Sequence, residues 1–586
     1  MSRRVFFSAL SIAVGALLST AIAIAVWIGT HNPLGLLEGV PGKEPAAAQF
    51  VPRSAPVMVS LLANPDRLET VRQFLVPPSQ RRAAFQEWQR VRDRLLSKTQ
   101  LDYGQDIRPW LGDEVTFAVT GLDADRDESN GRQPAYLLAA SAADGDRAQG
   151  FLELFWQKQA LAGVNPIFER YKGATITYGE AMDVLPDSLW RSRRRGQVAP
   201  RTNLATALVG GKFVLLATDP KVLREAINNV QVPAQNLTSL ESYQAAIAAE
   251  SERPDEDRRL GVVVADFTAL AQLSQSPATA AAIGALPASK PFSPFEGAIA
   301  LVEFDRQGIT GNFQLLDRDG GKVPAAAALT EPVTALQYLP RNAAIALGGD
   351  NLAALWQGVQ EQFQNTLLGD TVIAQVNQLA EQNGVDPETD ILPWLTADYA
   401  LGLVNGDWLV VTSHSSAGEA ALARLDQVAS DRGWSVGPVM LGDVEAQIWS
   451  RLAARGKTLA TQVEGVRAQV NGYDILSNSV AALNGAIAAA PAAAPMAEAP
   501  AIASDQSFLS RSDVQRNLAQ LPQPNDGYAQ LDWSAARPIL GQVFPIVGLL
   551  DGVGQPILDR LDTITVVSYG GEGDRRRITL KAQLHR

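Results

Sequence analysis

Cysteine is absent from the 586 residues, and histidine occurs only at His31, His414 and His585. Without thiols there is no disulfide framework, thiolate zinc site, iron–sulfur cluster or cysteine nucleophile. Three imidazoles so far apart in sequence argue against a His-rich metal centre, while carboxylate-only sites stay open. A surplus of positive charge is missing as well, since the formal net charge is −12. The chain therefore has no overall cationic field for phosphate backbones, and nucleic-acid binding is not expected. Nor is the composition that of a disordered chain: 46% of residues are hydrophobic and 19% charged, as in folded globular proteins. The length exceeds the roughly 250–300 residues at which a single core stops growing, so at least two domains are expected.

Long apolar runs are scarce, and the one that exists is at the N-terminus. Val5 to Ile28, VFFSALSIAVGALLSTAIAIAVWI, carries no charge. As a helix rising about 1.5 Å per residue it covers roughly 36 Å, enough to cross a bilayer. Arg3 and Arg4 precede it, which holds the N-terminus in the cytoplasm and sends the body to the far side. The competing reading is a cleaved signal peptide, because Ala21-Ile22-Ala23 and Ala23-Ile24-Ala25 resemble cleavage sites. Both fall inside an apolar run longer than the roughly 7–15 residues of a signal, so an uncleaved transmembrane anchor over 1–29 is the expectation. Pro538 to Ile557, the nearest second candidate, is broken by three prolines and carries Asp551. Residues 30–49, with three prolines and three glycines, form a tether.

Beyond the tether the chain repeats itself. FVPRSAPVMVSL from Phe50 matches YLPRNAAIALGG from Tyr338, aligning Pro52 with Pro340 and Arg53 with Arg341. DIRPWLGDEVTFAV from Asp106 matches DILPWLTADYALGL from Asp390, and ATALVGGKFVLLATDPKVLREAI from Ala205 pairs with RAQVNGYDILSNSVAALNGAI from Arg467. GVVVADFTAL and GYAQLDWSAA then place Asp266 over Asp532, and each half closes on a strand pair. The order of blocks is kept. The expectation is an α+β fold of two divergent copies of one largely antiparallel sheet-plus-helix domain behind the N-terminal transmembrane helix. The first repeat lobe is 50–316, the linker 317–332 and the second lobe 333–586. An Ala/Pro-rich flexible insertion occupies 488–504.

Candidate chemistry is thin. Gly433-Trp434-Ser435-Val436-Gly437 matches the G-x-S-x-G nucleophile elbow, but a helical stretch precedes it and an extended one follows, the reverse of what the elbow needs. His414 lies upstream of the serine, contrary to that fold's usual order. DADRDESNG at Asp123–Gly131 alternates carboxylates as calcium loops do, yet has Glu128 where such loops have glycine and Pro134 in place of the last glutamate. Arg191 to Gly196, RSRRRG, is the one dense basic run and reads as an exposed loop or a contact for anionic lipid. Gly210-Gly211-Lys212, Gly320-Gly321-Lys322 and Gly570 to Asp574 are turns. Trp156, Trp356 and Trp408 fall in helical or apolar stretches, as core residues do. Asp-Ile-x-Pro-Trp-Leu, occurring twice, reads as a joint between a helical stretch and a strand. In it Asp106 and Asp390 cap a turn, Pro109 and Pro393 disfavour helix at the residue before them, and Trp110 and Trp394 plug the sheet edge.

FVPRSAPVMVSLLANPDRLE, LDYGQDIRPWLGDEVTFAVT and GFLELFWQKQALAG together resemble a family of uncharacterised membrane-anchored cyanobacterial proteins, domain of unknown function 3352. The resemblance covers the anchor and most of the first lobe, and the second lobe more loosely. It implies an exported single-anchor protein in the periplasm or, alternatively, the thylakoid lumen, and brings no catalytic residues with it. No catalytic, cofactor-binding or metal residue is assigned, and no cofactor. The expected partners are the membrane, through the N-terminal helix, and an extracytoplasmic protein. The leading expectation is a non-enzymatic, membrane-anchored scaffold or binding protein. The alternatives are a hydrolase-type enzyme with a carboxylate site between the lobes and a carrier or sensor of an apolar ligand.

Overall fold

The computed structural model describes residues 44–64, 101–124, 133–161, 163–179, 204–251, 259–273, 291, 294–304, 308–317, 329–363, 365–366, 373, 377, 381, 386–455, 458–491, 504–543, 561–572 and 575–584. These residues fall into two compact units, one ending at residue 317 and one starting at 329. The expected anchor, most of the acidic loop after Asp123, the RSRRRG run, Gly320 to Lys322 and most of the Ala/Pro-rich insertion lie outside the described residues. No helix among the described residues is long and apolar enough to cross a membrane.

The first unit contains β1 (Val57–Leu61), β2 (Leu111–Gly121), β3 (Ala135–Ala142), β4 (Ile167–Tyr171), β5 (Ala174–Tyr178), β6 (Ala205–Val209), β7 (Phe213–Ala217), β8 (Arg259–Asp266), β9 (Phe295–Phe304) and β10 (Gly308–Asp317). Its helices are α1 (Gly145–Leu161), α2 (Pro220–Gln231), α3 (Glu241–Ser251) and α4 (Phe267–Leu273). The strands pair antiparallel throughout, in the order β10-β9-β8-β1-β2-β3-β7-β6-β5-β4.

The second unit contains β11 (Ala343–Gly349), β12 (Tyr399–Val404), β13 (Asp407–Ser413), β14 (Ser435–Leu441), β15 (Val444–Arg455), β16 (Thr458–Val470), β17 (Tyr473–Ser477), β18 (Gly527–Asp532), β19 (Leu561–Glu572) and β20 (Arg575–Leu584). Its helices are α5 (Leu352–Phe363), α6 (Ser416–Asp431), α7 (Val480–Ala489), α8 (Ser512–Ala519) and α9 (Trp533–Val543). Here the order is β20-β19-β18-β11-β12-β13-β17-β16-β15-β14, again antiparallel throughout. Each strand stands where its counterpart ten numbers earlier stands in the first unit. The expected α+β class with a largely antiparallel sheet is what the described residues form.

In both units the sheet is covered on two faces, as alternating inward side chains require. On one face of the first sheet Ala135, Leu137, Ile176, Ala207 and Leu215 meet Val222, Leu223, Ala226 and Ile227 of α2. On the other, Ala140 and Val214 meet Ala148, Phe151 and Leu152 of α1. The second unit packs α7 and α8 on the first of these faces and α6 on the second.

Local signals set the element ends. Asp219 accepts a hydrogen bond from the Lys221 amide at 2.7 Å and Pro220 opens α2, the arrangement that spares helix-end donors. Gly210 and Gly211 turn the β6–β7 hairpin at φ +62° and +67°. Asn471 and Gly472 do the same for β16–β17 at +48° and +81°, the left-handed geometry a two-residue hairpin needs. α7 holds through Ala489, the second residue of the Ala/Pro-rich stretch.

Candidate functional site

The repeated phrase is built as a joint, by a mechanism that differs from the expected one. Asp102 and Asp386, four residues before the aspartates of the phrase, are the N-caps: they accept from the amides of Gln105 and Glu388 at 2.8 and 2.9 Å. Asp106 and Asp390 reach back instead, each accepting from the amide of its cap residue at 2.9 Å. This is the reciprocal logic of a capping box, with aspartate doing the job one helical turn on. Arg108 and Leu392, which precede the prolines, are right-handed helical. The steric bias against helix at that position is therefore overridden by the capped π-helical turns Tyr103–Ile107 and Pro387–Ile391.

The same two aspartates tie the phrase to the helix that follows. Lys158 of α1 lies 3.1 Å from Asp106, and Arg424 of α6 lies 2.7 Å from Asp390. Trp110 and Trp394 are buried between sheet and helix rather than at a sheet edge, because β2 and β12 are internal strands. The Trp110 indole N–H donates to the Asp106 carbonyl at 2.9 Å and its ring lies 5.1 Å from that of Phe151.

The densest group of perturbed titratable side chains stands beside this joint in the second unit. Asp398 accepts from the Ala335 amide at 3.2 Å, from the Tyr473 hydroxyl at 3.1 Å and from the Ser413 hydroxyl. Burial pushes its carboxyl above the usual carboxylate range, against the Tyr473 and Ala335 hydrogen bonds. The Tyr338 and Tyr473 rings are 4.6 Å apart. Burial pushes the Tyr338 hydroxyl up to about 12, and burial followed by the Asp398 charge raises Tyr473. Adjacent to them, His414 presents Nδ1 to both oxygens of the buried Asp474, at 3.0 and 3.1 Å.

What this group does is shown by the corresponding positions of the first unit. Glu114 accepts from the amides of Ala46 and Ala47 at 3.1 and 2.7 Å, capping the 3₁₀ turn Ala46–Phe50 as Asp398 caps Thr334–Tyr338. Ser141 bonds the Glu114 main chain, and Phe50 and Phe213 face one another at 5.2 Å where Tyr338 and Tyr473 do. The carboxylate is thus a structural clasp in both units. Asp398→Ala is expected to cost about 1–3 kcal/mol by stranding the Ala335 amide and the two hydroxyls; urea unfolding measured against the unaltered chain checks it.

The remaining candidates separate. Gly433 takes φ +75° between α6 and β14, so the elbow-like pentapeptide is a helix-to-strand turn. His414 precedes the N-terminus of α6 and Ser435 follows its C-terminus. A 16-residue helix spans roughly 24 Å, which excludes a hydrogen bond between them. Trp110, Trp156, Trp356, Trp394, Trp408, Trp449 and Trp533 are all buried, while Trp88 and Trp190 lie outside the described residues. No three metal-ligating side chains come together among the described residues. A cleft of about 630 Å3 in the second unit lies between Gln357, Gln360 and Glu361 of α5 and Glu388, Leu392 and Pro393 of the joint.

One repeated segment escaped the reading of the sequence. Gln235 to Gln244, QNLTSLESYQ, and Gln506 to Gln515, QSFLSRSDVQ, share a Gln-x-(Leu/Phe)-x-Ser-x4-Gln pattern. Leu237 and Phe508 donate their amides to Val51 and Leu339 at 2.9 and 2.8 Å, while Gln244 and Gln515 return to the carbonyls of Thr238 and Leu509 at 2.8 and 3.0 Å.

A family model described as "Protein of unknown function (DUF3352)" matches residues 10–584. No curated protein matches the chain. Among solved structures, crystal forms I and III of a protein designated TP0453 are 9% and 11% identical, cover 50% of this chain and 89% and 90% of that one, each at a TM-score of 0.24. Form IV is 11% identical over 47% and 81%, at 0.23. Scores this low carry no structural argument.

Proposed function

We propose, for a chain that belongs to the family described as protein of unknown function DUF3352, a non-enzymatic role as a membrane-anchored extracytoplasmic protein that binds or scaffolds another component near the membrane. The observation carrying this reading is how six acidic groups in and around the repeated phrase are used. Asp102, Asp106, Asp386 and Asp390 are engaged in caps, and Glu114 and Asp398 in clasps. Side chains committed to main-chain amides are poor general acids or bases, because moving a proton on them undoes the fold. The two units are further proposed to be divergent copies of one domain, supported by the common strand order and by the clasps that recur at matching positions.

The anchor rests on the uncharged run Val5–Ile28 behind Arg3 and Arg4, which the family match enters at residue 10. The body then lies in the periplasm or, alternatively, the thylakoid lumen. Two measurements test the proposal. Protease added outside spheroplasts is expected to degrade the body and spare the anchor, and full protection overturns the orientation. Native purification with cross-linking is expected to recover a defined extracytoplasmic partner. A monomer alone, with a purified body that turns over members of a hydrolase substrate panel, overturns the non-enzymatic role.

A further inference from the structure

Both sheets end on the strand that follows the helix of the joint, β4 in the first unit and β14 in the second. Among the described residues β4 pairs only with β5 and β14 only with β15. Each therefore leaves a row of main-chain donors and acceptors open, a liability that proteins usually manage. β14 manages it with Pro438, which has no N–H to offer. β4, Ile-Phe-Glu-Arg-Tyr, has no such guard.

The two faces of β4 are treated differently. Glu169 and Tyr171 hold it to α2: Arg224 grips the Glu169 carboxylate through two bonds of 2.9 and 2.8 Å, and the Tyr171 hydroxyl donates to Asn228 at 3.0 Å. The strand is thereby fixed. Phe168 and Arg170, on the opposite face by the two-residue period, are left outside: Phe168 is 68% exposed and Arg170 is exposed with no ion pair among the described residues. Lys172, in the tight turn to β5, is exposed as well.

With Glu169 consumed by Arg224, the two charges of this edge without an ion pair among the described residues, Arg170 and Lys172, are both positive, in a chain whose net charge is −12. We propose that β4 is a strand-addition site that takes an extended acidic segment of a partner protein, one carrying an apolar side chain and a carboxylate two positions apart to face Phe168 and Arg170. The inference rests on the binding role proposed above and names where and how that binding occurs. Main-chain pairing supplies affinity in this mode and the alternate side chains supply selectivity. The charges also weigh against a second copy of this chain as occupant: β4 paired with itself gathers two Arg170 and two Lys172 cations on one short ribbon and brings no carboxylate to offset them, since Glu169 is held by Arg224.

The test uses the full-length chain in detergent and fluorescently labelled ten-residue peptides read by anisotropy. One peptide repeats Val-Thr-Glu-Thr, a second replaces Glu with Lys, and a third carries proline at the centre of the first. Saturable binding of the Glu peptide, several-fold tighter than that of the other two, is expected. Arg170→Glu is expected to transfer the preference to the Lys peptide, with unfolding unchanged because the side chain is exposed. Equal binding of all three peptides, no binding, or an Arg170→Glu chain that behaves like the original overturns the proposal. So does concentration-dependent dimerisation abolished by Arg170→Glu, which makes the occupant a second copy. If the peptides fail while cross-linking still recovers a partner, the edge is wrong and the binding role stands.

Discussion

Trp110→Ala and Trp394→Ala are each expected to destabilise their own unit by about 3–5 kcal/mol, the cost of emptying a buried aromatic site. The two indoles are 4% and 3% exposed. Each stands where the capped π-helical turn, the second strand of the sheet and the following helix meet, so the cavity has rigid walls on three sides and little means of collapse. A domain is typically stable by only about 5–15 kcal/mol, so the loss brings either unit close to unfolding at 37 °C. Hydrogen exchange resolved by peptide distinguishes the units: protection should fall across β2, β3 and α1 for Trp110→Ala, and across β12, β13 and α6 for Trp394→Ala. The conservative change separates them further. Trp110 donates its N–H to the Asp106 carbonyl, whereas the Trp394 N–H has no hydrogen-bond partner among the described residues, so Trp110→Phe should cost more than Trp394→Phe. A stable Trp110→Ala chain that has lost partner binding would show the phrase to be a site and not a joint.

The outline of the fold was legible because it rests on local signals. Alternating apolar residues marked β2, β3 and the hairpins, and Asp219-Pro220 and Gly210-Gly211 carried their own punctuation. Their recurrence in the second half let one reading check the other. The joint was legible as a joint but not in its mechanism. Both Asp102 and Asp106 are four residues or fewer from a turn, and only the backbone path decides which of them caps and which reaches back. The clasp was missed for a different reason. Glu114 and Asp398 bind amides at Ala47 and Ala335, more than sixty positions upstream, and no pattern of short period encodes such a contact. Gly112-Asp113-Glu114 aligns with Thr396-Ala397-Asp398, so the one carboxylate that matters is kept, with a shorter side chain. The second repeat of Gln, Leu or Phe, Ser and Gln could have been found, since its spacing is constant. It was hidden by mostly dissimilar residues between the fixed positions. The open edge of β4 is a property of topology and could not be read from Ile-Phe-Glu-Arg-Tyr, which would be unremarkable in an internal strand.

The second unit should be the more sensitive to alkali, and the tyrosines give the sign. Tyr338, Tyr399, Tyr473 and Tyr528 all have hydroxyls pushed above the usual phenol range, with burial as the leading cause in each. For an acid whose folded pKa is raised, the stabilisation is fully present below the unfolded value, about 10 for tyrosine, and is lost as pH rises through the folded value. Tyr338 loses its contribution by about pH 12, and Tyr399 and Tyr528, raised further by burial, carry the fall beyond it. Urea midpoints for the second unit are therefore expected to be flat up to about pH 10 and to fall steeply between there and pH 12. In the first unit burial raises two phenols, Tyr136 and Tyr243, against four in the second, and Phe50 and Phe213, which occupy the matching pair, cannot ionise. Asp398 adds a slope of its own lower down. Its raised carboxyl favours the fold while protonated, so stability declines as pH rises from the unfolded aspartate value through the folded one. Tyr473→Phe discriminates between these contributions. It removes an ionisable phenol and the hydroxyl bonded to Asp398, so it should lower the unfolding free energy at neutral pH by about 1 kcal/mol for the lost hydrogen bond and yet make the fall above about pH 10 shallower. A variant with the same alkaline slope as the original chain would place the sensitivity elsewhere in the core.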